Sequence, residues 1–509
     1  MLARAADADR VQTKIADGVL EGAVVADGRV HAFKGIPFAA PPVGDLRWQP
    51  PQPVTPWTGV RPALEFGPRP MQGRIFSDMV FRDAGPSEDC LSLNVWTPAN
   101  ARGRKLPVMV WIFGGGFAAG GTSEPRQDGT ALCQKDVVVV SMNYRLGVFG
   151  FLAHPELTAE SRHGASGNYG LMDQIAALEW VKRNIAHFGG DPDNVTIFGE
   201  SAGSFSVSAL VASPRARGLV HKAIGQSGAI FSRMNPQLSL AKAQEQGRDF
   251  LQQAFGTASI RELRAKPAAE LLEGALKAPR RWFGAIVDGH VLPATGEEIF
   301  AAGRQAHIPV IAGWTRDEGN ARGFFMDKEP TLAVFQQEAA NRFGERGPAF
   351  LAAYQATNDA EAVRAAADWA GDMFIGHSTW KFLELHRRTG NAPVYRYYFA
   401  QTLPAERPDA KPGDALVAPH ASDIEYTFQM LDTREARWGA EHRRVAELMT
   451  EYWTRFARTG NPNGNGLPRW PEYEEKTGWA VMHLQAEARA APDAHRSRYL
   501  FLEAAPLPR

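Results

Sequence analysis

Between residues 91 and 211 the chain changes hydrophobic period several times, and this alternation limits its possible folds more than any other feature. Residues 91–96, 107–113 and 137–143 are short runs rich in Val and Ile, bounded by Gly or Pro, as buried strands should be. Residues 170–181 instead place apolar side chains at 171, 175, 178 and 181, which is one face of a helix, and Gly189-Gly190-Asp191-Pro192 stops it. Residues 195–198 form a further short strand and 202–211 a helix-capable run. Strands that alternate with helices imply an α/β fold with a large, mostly parallel sheet covered on both faces.

Strand signals return at 308–312, 394–400, 480–484 and 499–502, on either side of charged helical stretches at about 239–305 and 330–390. Those stretches read as helical insertions forming a cap over one sheet. The first 70 residues, rich in Pro and Gly but broken by apolar residues, read as ordered, loop-heavy packing. The simplest organisation is a single domain over residues 1–509, with a start open to disorder over residues 1–10. A chain of 509 residues that is 44% hydrophobic can build such a core without staples.

Within this frame, Gly199-Glu200-Ser201-Ala202-Gly203 is a G-x-S-x-G pentapeptide. A chain with 49 glycines produces such a pentapeptide readily by chance, so the flanks decide: a strand precedes it and a helix follows. A serine at that sharp corner is held in strained backbone geometry with its hydroxyl above the sheet, as in the α/β-hydrolase fold. The helix start behind it offers free N–H groups to developing negative charge. Residues 107–113 run into Gly114-Gly115-Gly116-Phe117, and a glycine run after a buried strand leaves its amides accessible. Gly115, Gly116 and Ala202 are therefore the candidate oxyanion-hole donors. Each such donor typically contributes roughly 3–4 kcal/mol to the transition state.

A serine hydroxyl needs a histidine to take its proton and a carboxylate to hold the imidazole, in the chain order Ser, acid, His. The strand signal at 308–312 leads into Thr315-Arg316-Asp317-Glu318-Gly319, so Asp317 and Glu318 are the acid candidates, with Asp288 a third that reads as a turn former. Of the histidines after Glu318, His377, His386 and His442 fall in helix-like stretches, His483 in a strand pattern and His495 near the tail. His420 lies in a loop beyond the 394–400 strand, where this fold places its base. Spacing alone favours it without deciding.

Several segments together resemble the type-B carboxylesterase family, which includes bacterial para-nitrobenzyl esterases and is related to the cholinesterases. They are Lys34-Gly35-Ile36-Pro37-Phe38-Ala39, Ser87-Glu88-Asp89-Cys90-Leu91-Ser92-Leu93-Asn94-Val95, the Gly114–Phe117 run, Asn143-Tyr144-Arg145-Leu146-Gly147, Asn168-Tyr169-Gly170-Leu171-Met172-Asp173-Gln174 and the serine pentapeptide. The resemblance spans nearly the whole chain. It implies a serine carboxylesterase with a Ser201-His420-Glu318 triad, because the family's acid is the glutamate of a D-E-G turn and its histidine precedes a segment like residues 423–428. It implies no cofactor and no metal. Ser227, in Gln226-Ser227-Gly228, matches a position near the triad and is expected either to support it or to be structural.

The chain departs from the family at three points. Phe113 replaces a His or Tyr, Asp423 replaces a glutamate, and Cys90 lacks its usual partner near residues 66–72, which favours a free thiol. The loop 72–89 carries Phe76 and Phe81 but not the tryptophan with which cholinesterases hold choline, so choline esters are not expected. Phe205, Phe231, Trp282, Phe283, Phe324, Phe325 and Phe374 are candidates to line an apolar substrate gorge.

Amide or carbamate hydrolysis and lipase activity remain alternatives on the same triad. A non-catalytic interaction protein of this fold is the remote one, since such proteins lose the serine or histidine. The expected partner is a small-molecule ester. Lys plus Arg and Asp plus Glu both total 56, which gives no reason to expect nucleic acid. No apolar run approaches a membrane span, and the opening residues lack the apolar core of a secretory signal, so the protein reads as soluble, cytoplasmic or secreted with its signal removed. Cys90 and Cys133 are spaced for neither a redox pair nor zinc and read as two buried thiols, with one disulfide between them the alternative.

Overall fold

The computed structural model describes residues 9–279, 282–404 and 418–504. Its frame is one 13-stranded sheet. Twelve strands lie along it: β1 (Arg10–Ile15), β2 (Gly18–Val25), β3 (Val30–Pro37), β4 (Ser92–Pro98), β5 (Leu106–Ile112), β6 (Val138–Met142), β7 (Gly190–Glu200), β8 (Lys222–Gln226), β9 (Val310–Thr315), β10 (Val394–Phe399), β11 (Ala480–Leu484) and β12 (Arg489–Pro492). Their spatial order is β1-β2-β3-β4-β6-β5-β7-β8-β9-β10-β11-β12, and Val60–Pro62 pairs with β2 off this path. From β6 through β11 every neighbouring pair is parallel; along the path the pairs at both ends are antiparallel, while Val60–Pro62 runs parallel to β2.

The parallel centre follows from composition. All seven residues of β5, all five of β6 and all six of β9 are buried, as strands covered on both faces must be. Helix α1 (Tyr169–Asn184) covers the sheet with the face read from the sequence, and the 3-10 turn Ile185–Phe188 that follows it ends at Gly189 in the left-handed conformation (φ 79°). Helix α2 (Ala202–Ala212) leaves β7 at once through Ser201. The charged stretches of the chain form separate helices, among them Leu240–Phe255, Ala268–Lys277, α3 (Asp359–Gly371) and α4 (His377–Thr389).

Three sequence expectations need correction. Residues 499–502 are not a strand: they belong to helix α5 (Arg496–Glu503), whose Tyr499, Phe501 and Leu502 are buried. A four-residue apolar run fits either period, and ion pairs from Arg496 to Glu384 and from Arg498 to Asp368 dock this segment as a helix. The first 70 residues carry five strands, β1–β3 and the short Val60–Pro62 and Arg69–Pro70, not only loops. In β1 exposed and partly buried positions alternate, with Gln12, Thr13 and Lys14 giving it little apolar signal. Strand β8 also escaped notice, because Lys-Ala-Ile-Gly-Gln contains one β-branched residue; pairing on both sides makes it a strand. The expectation of disorder at the start falls on residues 1–8, outside the described residues, and on Asp9 and Arg10, of which Arg10 opens β1.

Candidate active site

The parallel strands β5, β7, β8 and β9 end on the same side of the sheet, and the candidate groups gather there. β7 finishes at Glu200, and Ser201 then turns the chain into α2 with φ 54° and ψ −122°, a conformation L-residues rarely hold. Its N–H donates to Gln226 O at 2.8 Å, which ties the corner to the end of β8. Close packing makes the glycines of the pentapeptide necessary. A Cβ on Gly203 would lie 1.9 Å from Ile112 O, and one on Gly199 would lie 2.7 Å from both Gly203 and Ile112 O.

The glycine run after β5 stands against this corner. A Cβ on Gly114 would approach Glu200 O at 2.6 Å and Ser201 Cβ at 3.0 Å. Gly115 and Gly116 have φ of 100° and 64°, and the bonds from Ala118 and Ala119 N–H to Gly115 O close the turn. Among the described residues the amides of Gly115, Gly116 and Ala202 find no protein acceptor. Behind the run, Phe113 stacks on Tyr144 at 4.4 Å, and the Tyr144 hydroxyl donates to Phe113 O at 2.7 Å.

Glu318 and His420 meet above the ends of β8 and β9. His420 Nδ1 lies 2.6 Å from Glu318 Oε2. The other Glu318 oxygen accepts from Ser227 Oγ at 2.6 Å, Thr315 N at 3.0 Å and Thr315 Oγ1 at 2.9 Å. On its far side, His420 Nε2 is 3.2 Å from Glu200 Oε1. That edge of the ring therefore faces the side chain of Glu200, the residue before Ser201. Glu200 Oε1 makes no hydrogen bond among the described residues, so this approach is charge against ring without a directed N–H. The His420 side chain keeps 28% of its surface, against 3% for Glu200 and 2% for Glu318, so of the three it is the group a substrate can reach.

The electrostatics follow from this crowding. Burial lowers the His420 pKa, but the charges of Glu318 and Glu200 and the hydrogen bond the ring donates to Glu318 outweigh it and hold the imidazole well above its ordinary 6.5. Burial pushes Glu318 up, yet the His420 charge and the hydrogen bonds from His420, Ser227 and Thr315 win, and it sits below its ordinary value. Glu200 lacks such bonds, and burial pushes it up to about 8. Asp423, whose Oδ2 accepts from Gln226 and Tyr397 at 3.0 and 2.9 Å, is pushed up to about 6, chiefly by burial.

Of the candidate gorge residues, Trp282 and Phe374 border this centre. The indole lies 3.8 Å from where a Gly116 Cβ would stand, and the Phe374 ring is 5.3 Å from the imidazole. Phe205 packs where a Gly228 Cβ would stand. Phe231 stacks among Phe300 and Phe382, and Phe283 packs on Phe250. Phe324 and Phe325 are spent elsewhere: both are buried in a satellite core with Phe335 and Phe350. The loop 72–89 lines most of an open cleft of about 440 Å³, and its Met79 reaches within 3.0 Å of the Cβ position of Gly115. Phe76 and Phe81 line that cleft, and the Arg69 guanidinium already covers the Phe81 ring at 4.6 Å.

Sequence reasoning passed over Glu200, Thr315 and Gln226 as site residues. The available signal was adjacency: Glu200 precedes the serine, Thr315 ends the strand before the D-E-G turn, and Gln226 precedes Ser227. His377, His386, His442, His483 and His495 lie away from this contact network, on α4, helix Ala440–Thr459, β11 and the start of α5. Asp288 serves its turn, accepting from His290, Val291 and Leu292 N–H. Cys90 and Cys133 are buried and unpaired. Among the described residues no group of three or more His, Cys, Asp or Glu could hold a metal, and no helix is long and apolar enough to cross a membrane.

Residues 7–500 match the Carboxylesterase family. Fumonisin B1 esterase of Sphingopyxis macrogoltabida is 37% identical over 466 residues, covering 90% of this chain and 84% of that one. Carboxylesterase 1C of Rattus norvegicus is 37% identical over 484 residues, covering 88% and 85%. Among solved structures, a PNB esterase superposes with a TM-score of 0.80 at 32% identity, over 96% of this chain and 99% of the other.

Proposed function

We propose, for a chain that belongs to the carboxylesterase family and is a carboxylic ester hydrolase of the α/β-hydrolase fold, that hydrolysis runs through an acyl-enzyme on Ser201. Neutral His420 takes the Ser201 proton as the oxygen attacks the ester carbonyl. The carbonyl oxygen becomes an oxyanion and accepts from the amides of Gly115, Gly116 and Ala202. Glu318 accepts the Nδ1–H hydrogen bond and offsets the imidazolium that forms. His420 returns its proton to the departing alcohol, and water repeats the sequence on the acyl group, releasing the acid and restoring the serine. Ser227 and Thr315 hold Glu318 in place.

The contact that carries this reading is the 2.6 Å pairing of His420 Nδ1 with Glu318, on a ring whose other edge lies over the residue before Ser201. The relatives' names span a fumonisin B1 esterase and a mammalian carboxylesterase, so what they share is the ester bond and not one acyl or alcohol group. Choline esters are not expected, because the loop 72–89 carries no tryptophan to hold a quaternary ammonium. Steady-state hydrolysis of a p-nitrophenyl ester by Ser201→Ala and His420→Ala tests the proposal. Both should lose turnover by orders of magnitude, and wild-type rates in either would refute it.

A further inference from the structure

The two adjacent carboxylates of the D-E-G turn point in different directions. Glu318 turns back onto Thr315 and the imidazole. Asp317 turns toward the chain that enters His420. Its N–H donates to Ala418 O at 2.9 Å, and its Oδ2 accepts from Ala418 N at 3.0 Å. The same pairing makes an isolated parallel bridge between Asp317 and Pro419. Asp317 Oδ1 is held by Arg364, which also donates to Arg316 O at 3.0 Å.

Within residues 418–421 the remaining backbone bonds are local: Pro419 O accepts from Ser422 N and Ala421 O from Ile424 N. These fold the turn without anchoring it. Among the described residues, every long-range backbone hydrogen bond of 418–421 ends on Asp317.

We propose that Asp317 is a positioning residue for His420: its carboxylate fixes the backbone two residues before the imidazole, so that the ring meets Glu318 in register. The proposal rests on the triad reading above. It assigns the effect to the placement of one acceptor oxygen and not to the charge. The Arg364 pair alone, with Arg364 at 38% exposure, would be worth little. The acceptor instead satisfies a backbone N–H that stands two residues from a base whose placement decides the rate.

Three substitutions separate placement from charge. Asp317→Asn keeps an acceptor in place and drops the charge. Asp317→Glu keeps the charge and shifts the acceptor by a methylene. Asp317→Ala removes both. Rates are taken per active site, titrated with a fluorophosphonate, on a p-nitrophenyl ester across pH. Asp317→Asn should stay within about 3-fold of wild type, while Asp317→Ala and Asp317→Glu lose roughly 10–100-fold in kcat with little change in KM. Their acid limb should also fall toward 6.5, because a displaced ring loses the Glu318 contact while Glu200 and Asp423, the other charged groups facing it, stay. Phe374, which also faces the ring, is uncharged.

Wild-type kcat and pH limb in Asp317→Ala would overturn the proposal, as would a wild-type-like Asp317→Glu beside an impaired Asp317→Asn. If Asp317→Ala does not fold, the Asn and Glu pair decides. His420→Ala runs alongside: full activity there would sink the triad reading itself, whereas an inactive His420→Ala beside an unaffected Asp317→Ala sinks only the positioning role.

Discussion

Nε2 of His420 lies 3.2 Å from Oε1 of Glu200. With Nδ1 already against Glu318, the ring stands between two carboxylates that hold its pKa well above 6.5 despite burial. Base catalysis needs the neutral ring, so kcat/KM should rise with pH along a limb above 6.5. Glu200 is itself pushed up to about 8 by burial, so the limb belongs to the pair. Glu200→Gln removes one of the charges that favour the imidazolium, and the limb should move to lower pH. A pH profile of kcat/KM for both proteins checks this, and an unmoved limb would remove Glu200 from the electrostatics of the base.

Gly115 and Gly116 should tolerate alanine differently. Both have positive φ, which costs an alanine about 1–2 kcal/mol. At Gly115 the new Cβ would also lie 2.2 Å from Ala119 O, whereas at Gly116 its nearest neighbour is Trp282 at 3.8 Å. Gly115→Ala must displace the turn and its donors, and kcat should fall about 10²–10³-fold. Gly116→Ala should lose clearly less. Equal losses in the two kcat values would contradict the geometry.

Much of this site was legible from the chain alone, for identifiable reasons. The buried strands β5 and β6 and the face of α1 carry strong periodic signals, and the pentapeptide sits where strand and helix periods meet. The choice of Glu318 over Asp317, and of His420 over five other histidines, came from motif resemblance, because both acids occupy the same turn and only side-chain direction tells them apart. Strand β8 was not legible, since its character comes from pairing with β7 and β9 and not from its own residues. Phe324 could not be told from a gorge residue, because aromatic spacing does not say which core a ring joins.

Asp173 should prove a structural acid and not a catalytic one. Its carboxylate accepts from Arg145 N, Nε and Nη2, at 3.0, 2.8 and 2.7 Å, and both side chains are buried. Asp173→Asn leaves a buried guanidinium without its counter-charge and should cost roughly 3–5 kcal/mol in urea unfolding. A loss below about 1 kcal/mol would show that the pair is not desolvated.

Trp282 and Phe324 should separate specificity from stability. Trp282 stands beside the Gly114–Gly116 turn and is 41% exposed, while Phe324 is fully buried in the satellite core. Trp282→Ala should reorder kcat/KM across a panel of esters that vary one side at a time, with little change in melting temperature. Phe324→Ala should lose about 3–5 kcal/mol of stability and leave the ranking intact. An unchanged ranking in Trp282→Ala would remove the indole from the substrate path.

Peptide mapping after labelling with a fluorophosphonate addresses the nucleophile itself. The adduct should fall on the peptide containing Ser201 in the wild type, at one per chain, and should be absent from Ser201→Ala. A label on another residue, or equal labelling of Ser201→Ala, would contradict the assignment of that hydroxyl as the group that forms the acyl-enzyme.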